Sequence, residues 1–456
     1  MGAETQAGPS IIGKMQRLLL LALLASPQDG TQLPLAGKNL PSWGKDDRLV
    51  FAYYYARDDS AARHDLQEMA RTGIDVALVI GSEPARLAAL GRAIEELQKE
   101  GRDHPRVAPA IDVGSLKGAD FSTDGGKGRL YALLTGFHSR MPPRSWALAE
   151  GRPLAWLLPA PPGTRFDRGL GESLNELGKK DYDGRAFFLV ADVSWRDLPA
   201  DRGFAWGAAH DGPRELGVLS VGPGCASPER PRDDGKFYER AWYIALRLEP
   251  RWLAIETWNG TAEGTDVAES KDQKRKYIEA TQSFVRKLRH GEKIPLPKGK
   301  WTGAVKALYS AKYFPHDQGL RPVEAEGGAS EFIQFRGVAM LASRENASGA
   351  RRAICFAVDD SFSLLEKRAF DVEVEFLDSG EGAFSLEYDS WDRGTGATRA
   401  AKSAGERRFT GTGEWRTETF DVPDARFGNT LPGGADFRLV TEKRGIAVRR
   451  VAVTPK

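Results

Sequence analysis

RLVFAYYYARDDSAARHDLQEMARTGIDVALVIG, residues Arg48–Gly81, sets the grammar of the first half of the chain. Arg48–Tyr55 is a continuous apolar run, the pattern of a strand buried on both faces. Asp58–Thr72 follows with Leu66, Met69 and Ala70 at helical spacing. Gly73–Gly81 (GIDVALVIG) is a second buried strand. Strand, helix and strand in this order predict a parallel sheet covered by helices.

The same alternation continues downstream. Pro84–Gly101 has a strong helical pattern, and Arg106–Gly114 (RVAPAIDVG) reads as a third strand. Gly128–Ser139 reads as helix, Pro153–Ala160 (PLAWLLPA) as a fourth strand and Arg185–Trp195 (RAFFLVADVSW) as a fifth. Phe204–Ala209 and Leu216–Val221 are short strand candidates. Lys236–Glu249 is helical, Trp252–Trp258 (WLAIETW) is a last strand and Lys271–His290 a last helix. Near eight strands over about 250 residues is the size of a (β/α)8 barrel. A doubly wound open sheet is the competing fold. No GxGxxG or GxxxxGK[ST] follows the first strand, which counts against its nucleotide-binding versions.

From about Trp301 the pattern changes. Phe332–Leu341, Ala353–Val358, Phe370–Leu377, Ala383–Tyr388, Trp415–Val422, Phe437–Val440 and Ile446–Val453 are short runs without helices between them. Val372-Glu373-Val374-Glu375-Phe376 alternates, and Asp378-Ser379-Gly380 and Pro432-Gly433-Gly434 supply turns. This predicts an all-β sandwich or jelly roll. The expected organisation is a signal peptide and linker over 1–44, a barrel over 45–293, a linker over 294–300 and a β module over 301–456.

Composition narrows the function. The chain has 456 residues, with 65 Lys plus Arg against 63 Asp plus Glu, a net charge of +2. That balance argues against a nucleic-acid partner, which needs a basic face. The two cysteines, Cys225 and Cys355, fit no zinc or redox spacing, and the six histidines are scattered, so no metal or other cofactor is expected. Lys14-Met15-Gln16-Arg17 precedes the apolar run Leu18–Ala25, too short to span a bilayer. This is the pattern of an export signal, with Met15 as an alternative start, and predicts a secreted or periplasmic protein without stable membrane insertion. The oligomeric state is not readable.

In a (β/α)8 barrel the site lies at the C-terminal ends of the strands. Polar and aromatic residues there are Tyr53, Tyr55, Asp112, Asp192, Trp195, Trp206, His210, Asp211, Glu256, Trp258, Asn259 and Glu263. Glu256 interrupts an apolar strand, and a buried carboxyl is costly unless paired or functional. Its structural reading is a pairing with Arg232 or Arg251. Asp112 and Asp192 read equally as caps of following turns, and His210 as a satisfied loop histidine. No GxSxG elbow is present, against a serine hydrolase. Asn259-Gly260-Thr261 and Asn346-Ala347-Ser348 match the glycosylation triplet.

The stretch Ile255-Glu256-Thr257-Trp258-Asn259-Gly260-Thr261-Ala262-Glu263-Gly264-Thr265 resembles the SWNEWxEGT signature of glycoside hydrolase family 99-like and family 71-like barrels, and the bacterial group known as DUF5010. Val50–Tyr55 with Asp58 resembles that group's first strand. Leu66–Asp75 resembles its turn into the second strand. Val221–Gly224 with Arg232–Tyr238 resembles its "PG...RxDGxxY" stretch. The β-rich tail, with Phe384–Tyr388, Gly411–Trp415, Asp424–Phe427 and Gly434–Arg438, resembles the jelly-roll module often attached to such barrels.

The resemblance implies a carbohydrate-active enzyme with a polysaccharide or oligosaccharide substrate and its site at the ends of the last strands. In the signature two Glu lie three residues apart, acting in mannan-cleaving members as base, through the sugar 2-hydroxyl, and as acid. Here Glu263 keeps the second position and Gly260 replaces the first. Glu263 is the expected general acid. Glu256, Asp192 and Asp112 are the candidates for the other carboxylate. Tyr53, Tyr55, Trp195, Trp206 and Trp258 are candidate stacking surfaces, and His210, Asp211, Arg232 and Asn259 candidate polar contacts. A non-catalytic carbohydrate-binding or surface protein, and a polysaccharide-assembly protein or transferase, are the alternatives.

Overall fold

The computed structural model describes residues 40–456 apart from 45, 117, 228, 293, 296, 326–328, 336, 345–351, 392–400 and 442–444. The export pattern and the triplet at 346–348 lie outside the described residues. The chain forms two compact units, one running to Trp206 and one from Gly207 to Lys456.

In the first unit, β1 (Leu49–Tyr55), β2 (Val76–Ile80), β3 (Arg106–Ile111), β4 (Arg152–Leu157), β5 (Phe188–Asp192) and β6 (Arg202–Phe204) are parallel and adjacent in that order. Each strand lies beside its sequence neighbour. A doubly wound sheet would reverse direction at a switch point, and none occurs along these six strands. Burial along β1 and β2 is nearly complete, as apolar runs without alternation require. The helices α1 (Asp59–Thr72), α2 (Pro84–Lys99), α3 (Asp124–His138) and α4 (Leu170–Asp181) separate the first five strands. Asp58 caps α1 by accepting from the Ala61 N–H at 3.1 Å, and Gly73 ends it in the left-handed region.

In the second unit, α5 (Ala208–Asp211), β7 (Leu219–Val221), α6 (Lys236–Leu248), β8 (Trp252–Ile255) and α7 (Lys276–His290) follow, with β7 parallel to β8 and the short strand Arg214–Glu215 antiparallel to β7. The described residues thus hold six parallel strands in the first unit and a parallel pair in the second, together the strand number of a (β/α)8 barrel. The β5–β6 connection consists of turns.

Several boundaries differ from the sequence pattern, each for a local reason. The run Phe204–Ala209 splits, because Gly207 at φ 103 turns the chain into the one-turn α5. The last strand stops at Ile255: the Glu256 N–H still donates to the Val221 carbonyl, and from Thr257, whose N–H donates to the Thr265 carbonyl, the chain turns into a closed loop. The run Phe332–Leu341 is a hairpin turning at Gly337 (φ 78).

The remainder of this unit is an antiparallel β sandwich. Strands β9 (Ala307–Ser310), β10 (His316–Gln318), β11 (Leu320–Val323), β12 (Ser330–Phe335), β13 (Val338–Ser343), β14 (Arg352–Val358), β15 (Arg368–Leu377), β16 (Glu381–Tyr388), β17 (Lys402–Thr410), β18 (Trp415–Ala425), β19 (Phe437–Thr441) and β20 (Ala447–Pro455) form two sheets. One has the order β10-β9-β20-β13-β12, with β15 joining β18 and β20. The other has the order β11-β14-β19-β16-β17. Val372, Val374 and Phe376 face inward and meet Phe384, Leu386, Phe420, Phe437 and Val451 in one core. The intervening Glu373 and Glu375 pair outside with Arg450 and Arg449. Within the same unit α6 lies against this module: Ile244 packs with Leu364 and Leu365, and Arg240 pairs with Asp360 at 2.8 Å.

One packing contact in the first unit makes a sharp prediction. Gly91 sits inside α2, where Ala is favoured over Gly by about 1 kcal/mol. A Cβ there would lie 2.1 Å from the Arg140 carbonyl oxygen. Gly91→Ala therefore lowers the melting temperature, with an overpacking cost of about 1–3 kcal/mol outweighing the helix gain. A raised melting temperature would show that α2 can move away from Arg140.

Candidate active site

Glu256 follows β8, whose four residues are buried, and is itself only 1% exposed. The Gly207 N–H donates to Oε1 and Oε2 at 3.1 Å, and the Ala209 N–H to Oε2 at 3.2 Å. Its own N–H donates to the Val221 carbonyl at 2.8 Å. Burial pushes the carboxyl from the ordinary value near 4.5 up to about 7, against the pull of the amides of residues 207–209 and the charge of Arg214. The partners of Glu256 are thus backbone amides. Arg232 turns elsewhere: it donates to the Gly264 carbonyl at 2.8 Å and pairs with Asp266 at 3.0 Å, under the ring of Tyr277.

The amides that hold Glu256 open a tight turn carrying His210 and Asp211. Gly222, at the end of β7, touches this turn so closely that a Cβ there would lie 2.6 Å from Ala209 Cα. His210 Nδ1 lies 2.5 Å from Asp211 Oδ1, and Asp211 also pairs with Arg214. Arg230 Nε donates to the His210 carbonyl at 2.8 Å.

Glu263 is half-buried on the loop that leaves β8. Two threonines close this loop. The Thr257 N–H donates to the Thr265 carbonyl at 2.9 Å, and the Thr265 N–H to the Gly260 carbonyl at 3.0 Å. The Gly260 N–H donates to Thr257 Oγ1 at 2.8 Å, and the two threonine hydroxyls share a hydrogen bond at 3.0 Å. A Cβ on Gly260 would lie 2.4 Å from Thr257 Oγ1, 2.6 Å from Thr265 Oγ1 and 3.2 Å from Glu263 Oε2. The place where the signature carries its first Glu is occupied by a hydroxyl pair. A third loop ties these parts together: Cys225 and Arg230 exchange backbone hydrogen bonds, and the Ala226 N–H donates to the Glu263 carbonyl at 2.8 Å.

The first unit holds the other candidates. Asp192, at the end of β5, is 5% exposed and accepts from the Ser194 N–H at 2.9 Å and the Trp206 N–H at 2.8 Å. Asp112 is exposed and accepts from the Gly114 N–H at 2.8 Å. Tyr53 is buried. Its hydroxyl accepts from Trp156 Nε1 at 3.0 Å and its ring meets Trp206 edge-on. Trp195 is buried, with Nε1 donating to the Leu158 carbonyl at 2.8 Å, whereas Tyr55 and Trp206 are half-buried. In the second unit Trp258 is buried and Asn259 half-buried.

The structure therefore gathers His210, Asp211, Arg232, Glu256, Trp258, Asn259 and Glu263 on connected loops of one unit, and Tyr53, Asp192 and Trp206 in the other. Sequence reasoning missed Gly207, Arg230, Thr257 and Thr265. The Gly207 signal was present as the break between Trp206 and the helical Ala208–Asp211. The threonines stand at the Ser and Thr positions of the signature that residues 257–265 resemble, and that was their signal. Among the described residues no group of three or more His, Cys, Asp or Glu is placed to hold a metal ion, and no helix is long and apolar enough to cross a membrane.

No protein-family model matches the sequence, and no curated protein matches it. Solved structures do. The GH99 endo-alpha-mannosidase of Bacteroides thetaiotaomicron is 13% identical, with TM-score 0.39, covering 56% of this chain and 100% of that one. The CBM22-1–GH10 modules of a Clostridium thermocellum endo-1,4-beta-D-xylanase are 15% identical, with TM-score 0.22, covering 33% and 28%. The C-terminal CBM6 of a Zobellia galactanivorans laminarinase is 14% identical, with TM-score 0.19, covering 30% and 98%.

Two predictions follow from the geometry. Because the folded carboxyl of Glu256 binds its proton more tightly than the unfolded one, its contribution to stability is complete below about pH 4.5 and is lost as pH rises through about 7. Melting curves between pH 4.5 and 8 should show wild type losing more stability over that range than Glu256→Gln. Parallel profiles would mean the carboxyl is ionised throughout. Restoring the signature with Gly260→Glu should destabilise the fold by about 1–3 kcal/mol. Adding Thr257→Ala and Thr265→Ala should recover part of that loss, read as the denaturation midpoint. A stable single variant would show that the hydroxyl pair yields.

Proposed function

We propose that this chain is a glycoside hydrolase acting on a polysaccharide or glycan, exported behind the Lys14–Ala25 segment. The observation that carries the reading is the pair of carboxyls on the segment leaving β8. Glu256 is buried, with its titration moved to about 7, and Glu263 is half-buried on the loop edge. A part-exposed carboxyl on the segment that follows a buried, amide-bound one can supply the proton donor, the acid half of glycosidic bond cleavage. The resemblance of residues 255–265 to the family 99-like signature supports the same chemistry. Glu263 is the proposed proton donor to the leaving oxygen. Glu256, with its oxygens committed to backbone amides, is proposed to position the Gly207–Asp211 turn. The β module, read as a jelly roll, is proposed to brace the barrel, as its contacts with α6 support.

A second reading is favoured by one observation. The hydroxyls of Thr257 and Thr265 fill the first Glu position, which suits a protein that binds glycan without cleaving it.

A polysaccharide panel separates the readings. Wild type should release reducing ends from at least one polymer, and Glu263→Gln should lose about 10²–10⁴-fold in kcat with binding retained by calorimetry. Equal activity in the variant removes Glu263 from the reaction. Binding without hydrolysis by wild type selects the second reading.

A further inference from the structure

We infer that His210, oriented by Asp211, is the base that replaces the missing first carboxylate, activating water for direct displacement at the anomeric carbon. This rests on the glycosidase reading and names the group that reading leaves open.

Asp112 lies in the first unit and accepts from the Gly114 N–H. The Gly260 position has no room for a carboxylate. Glu256 is 1% exposed and Asp192 5% exposed, each with both oxygens held by backbone N–H groups. His210 differs in exposure and in chemistry, with 34% of its side chain open. Its Nδ1 faces Asp211 Oδ1 at 2.5 Å. A carboxylate only accepts, so Nδ1 carries the ring proton and Nε2 presents a lone pair. Asp211 is fixed in turn by Arg214. A base oriented by a carboxylate that is itself anchored is the arrangement that proton abstraction requires.

The backbone under His210 is equally constrained. The amides before it bind Glu256, its carbonyl accepts from Arg230, and Gly222 presses on Ala209. The loop that supplies Arg230 also holds the Glu263 carbonyl through Ala226. One loop therefore fixes both the proposed acid and the proposed base. Among the described residues, the charged and titratable groups that contact this turn are Asp211 and Arg214 on its own segment, Arg230 on the neighbouring loop and Glu256 beneath it.

In the step, the water oxygen bonds to the anomeric carbon while Nε2 takes its proton. The glycosidic C–O bond breaks with its electron pair on the leaving oxygen, which takes the proton of Glu263. The sum is addition of one water, with inversion at the anomeric carbon. Afterwards His210 loses a proton and Glu263 regains one through solvent.

The test uses the full chain on the best polymer from the panel. Proton NMR of the first-formed product should show the inverted anomer. His210→Gln should lose about 10²–10³-fold in kcat with KM within about threefold, and the acidic limb of the pH profile should disappear. Asp211→Asn should lose less and shift that limb, while thermal melts of both variants stay close to wild type. A retained anomer, a His210→Gln enzyme with wild-type kcat, or an unchanged acidic limb overturns the proposal and leaves the glycosidase reading standing. A wild type without activity on any polymer overturns both.

Discussion

The buried carboxyl of Glu256 is the constraint on which the candidate site depends. A carboxyl taken out of water must find donors. It finds the amides of Gly207 and Ala209. That commitment ties the end of β8 to the turn of residues 207–211, which closes on its own backbone hydrogen bonds. The turn is linked to Glu263 through the 225–230 loop, where Arg230 donates to the His210 carbonyl and the Ala226 N–H to the Glu263 carbonyl. Burial resists ionisation while the amides favour it, and the balance falls near neutral pH. The same group is thus costly as an anion and useful as an anchor.

The departure at Gly260 is more than a deleted side chain. Thr257 and Thr265, at the Ser and Thr positions of the signature, place hydroxyls against the space and bond to each other and to the Gly260 amide. A polar cluster satisfied in this way resists replacement, because restoring a carboxylate there breaks several hydrogen bonds at once. Any proton-accepting function has to come from another element, and the half-buried imidazole on the adjoining turn is the group proposed to supply it.

The parallel alternation was legible in the sequence because Arg48–Gly81 and its repeats are apolar on both strand faces, a pattern few other folds tolerate. The β module was legible where strands alternate, as in Val372–Phe376. It was not legible at Lys402–Thr410, whose residues are mostly polar because much of the strand faces solvent. Glu256 stood out because an acid in an apolar strand demands an explanation. What the sequence could not show was which explanation held. The donors to Glu256 are main-chain amides distant in sequence, and main-chain groups leave no trace in residue identity. Asp192 read equally as a catalytic acid and as a cap of the following turn, and both its oxygens serve backbone N–H groups, one of them the Trp206 N–H distant in sequence.

The division between scaffold and chemistry in the second unit runs along the same line. Arg230 grips the carbonyl of His210, Arg232 the carbonyl of Gly264, and the Ala226 amide the carbonyl of Glu263. These staples run to backbone atoms and do not depend on the side chains at 210 and 263. Glu256 and Asp192 do the opposite, spending their side chains on holding backbone. Substitutions at His210 and Glu263 therefore remove functional groups while the staples remain. Substitutions at Glu256 and Asp192 remove the staples themselves, so any loss of activity they cause is inseparable from loss of the rim's shape.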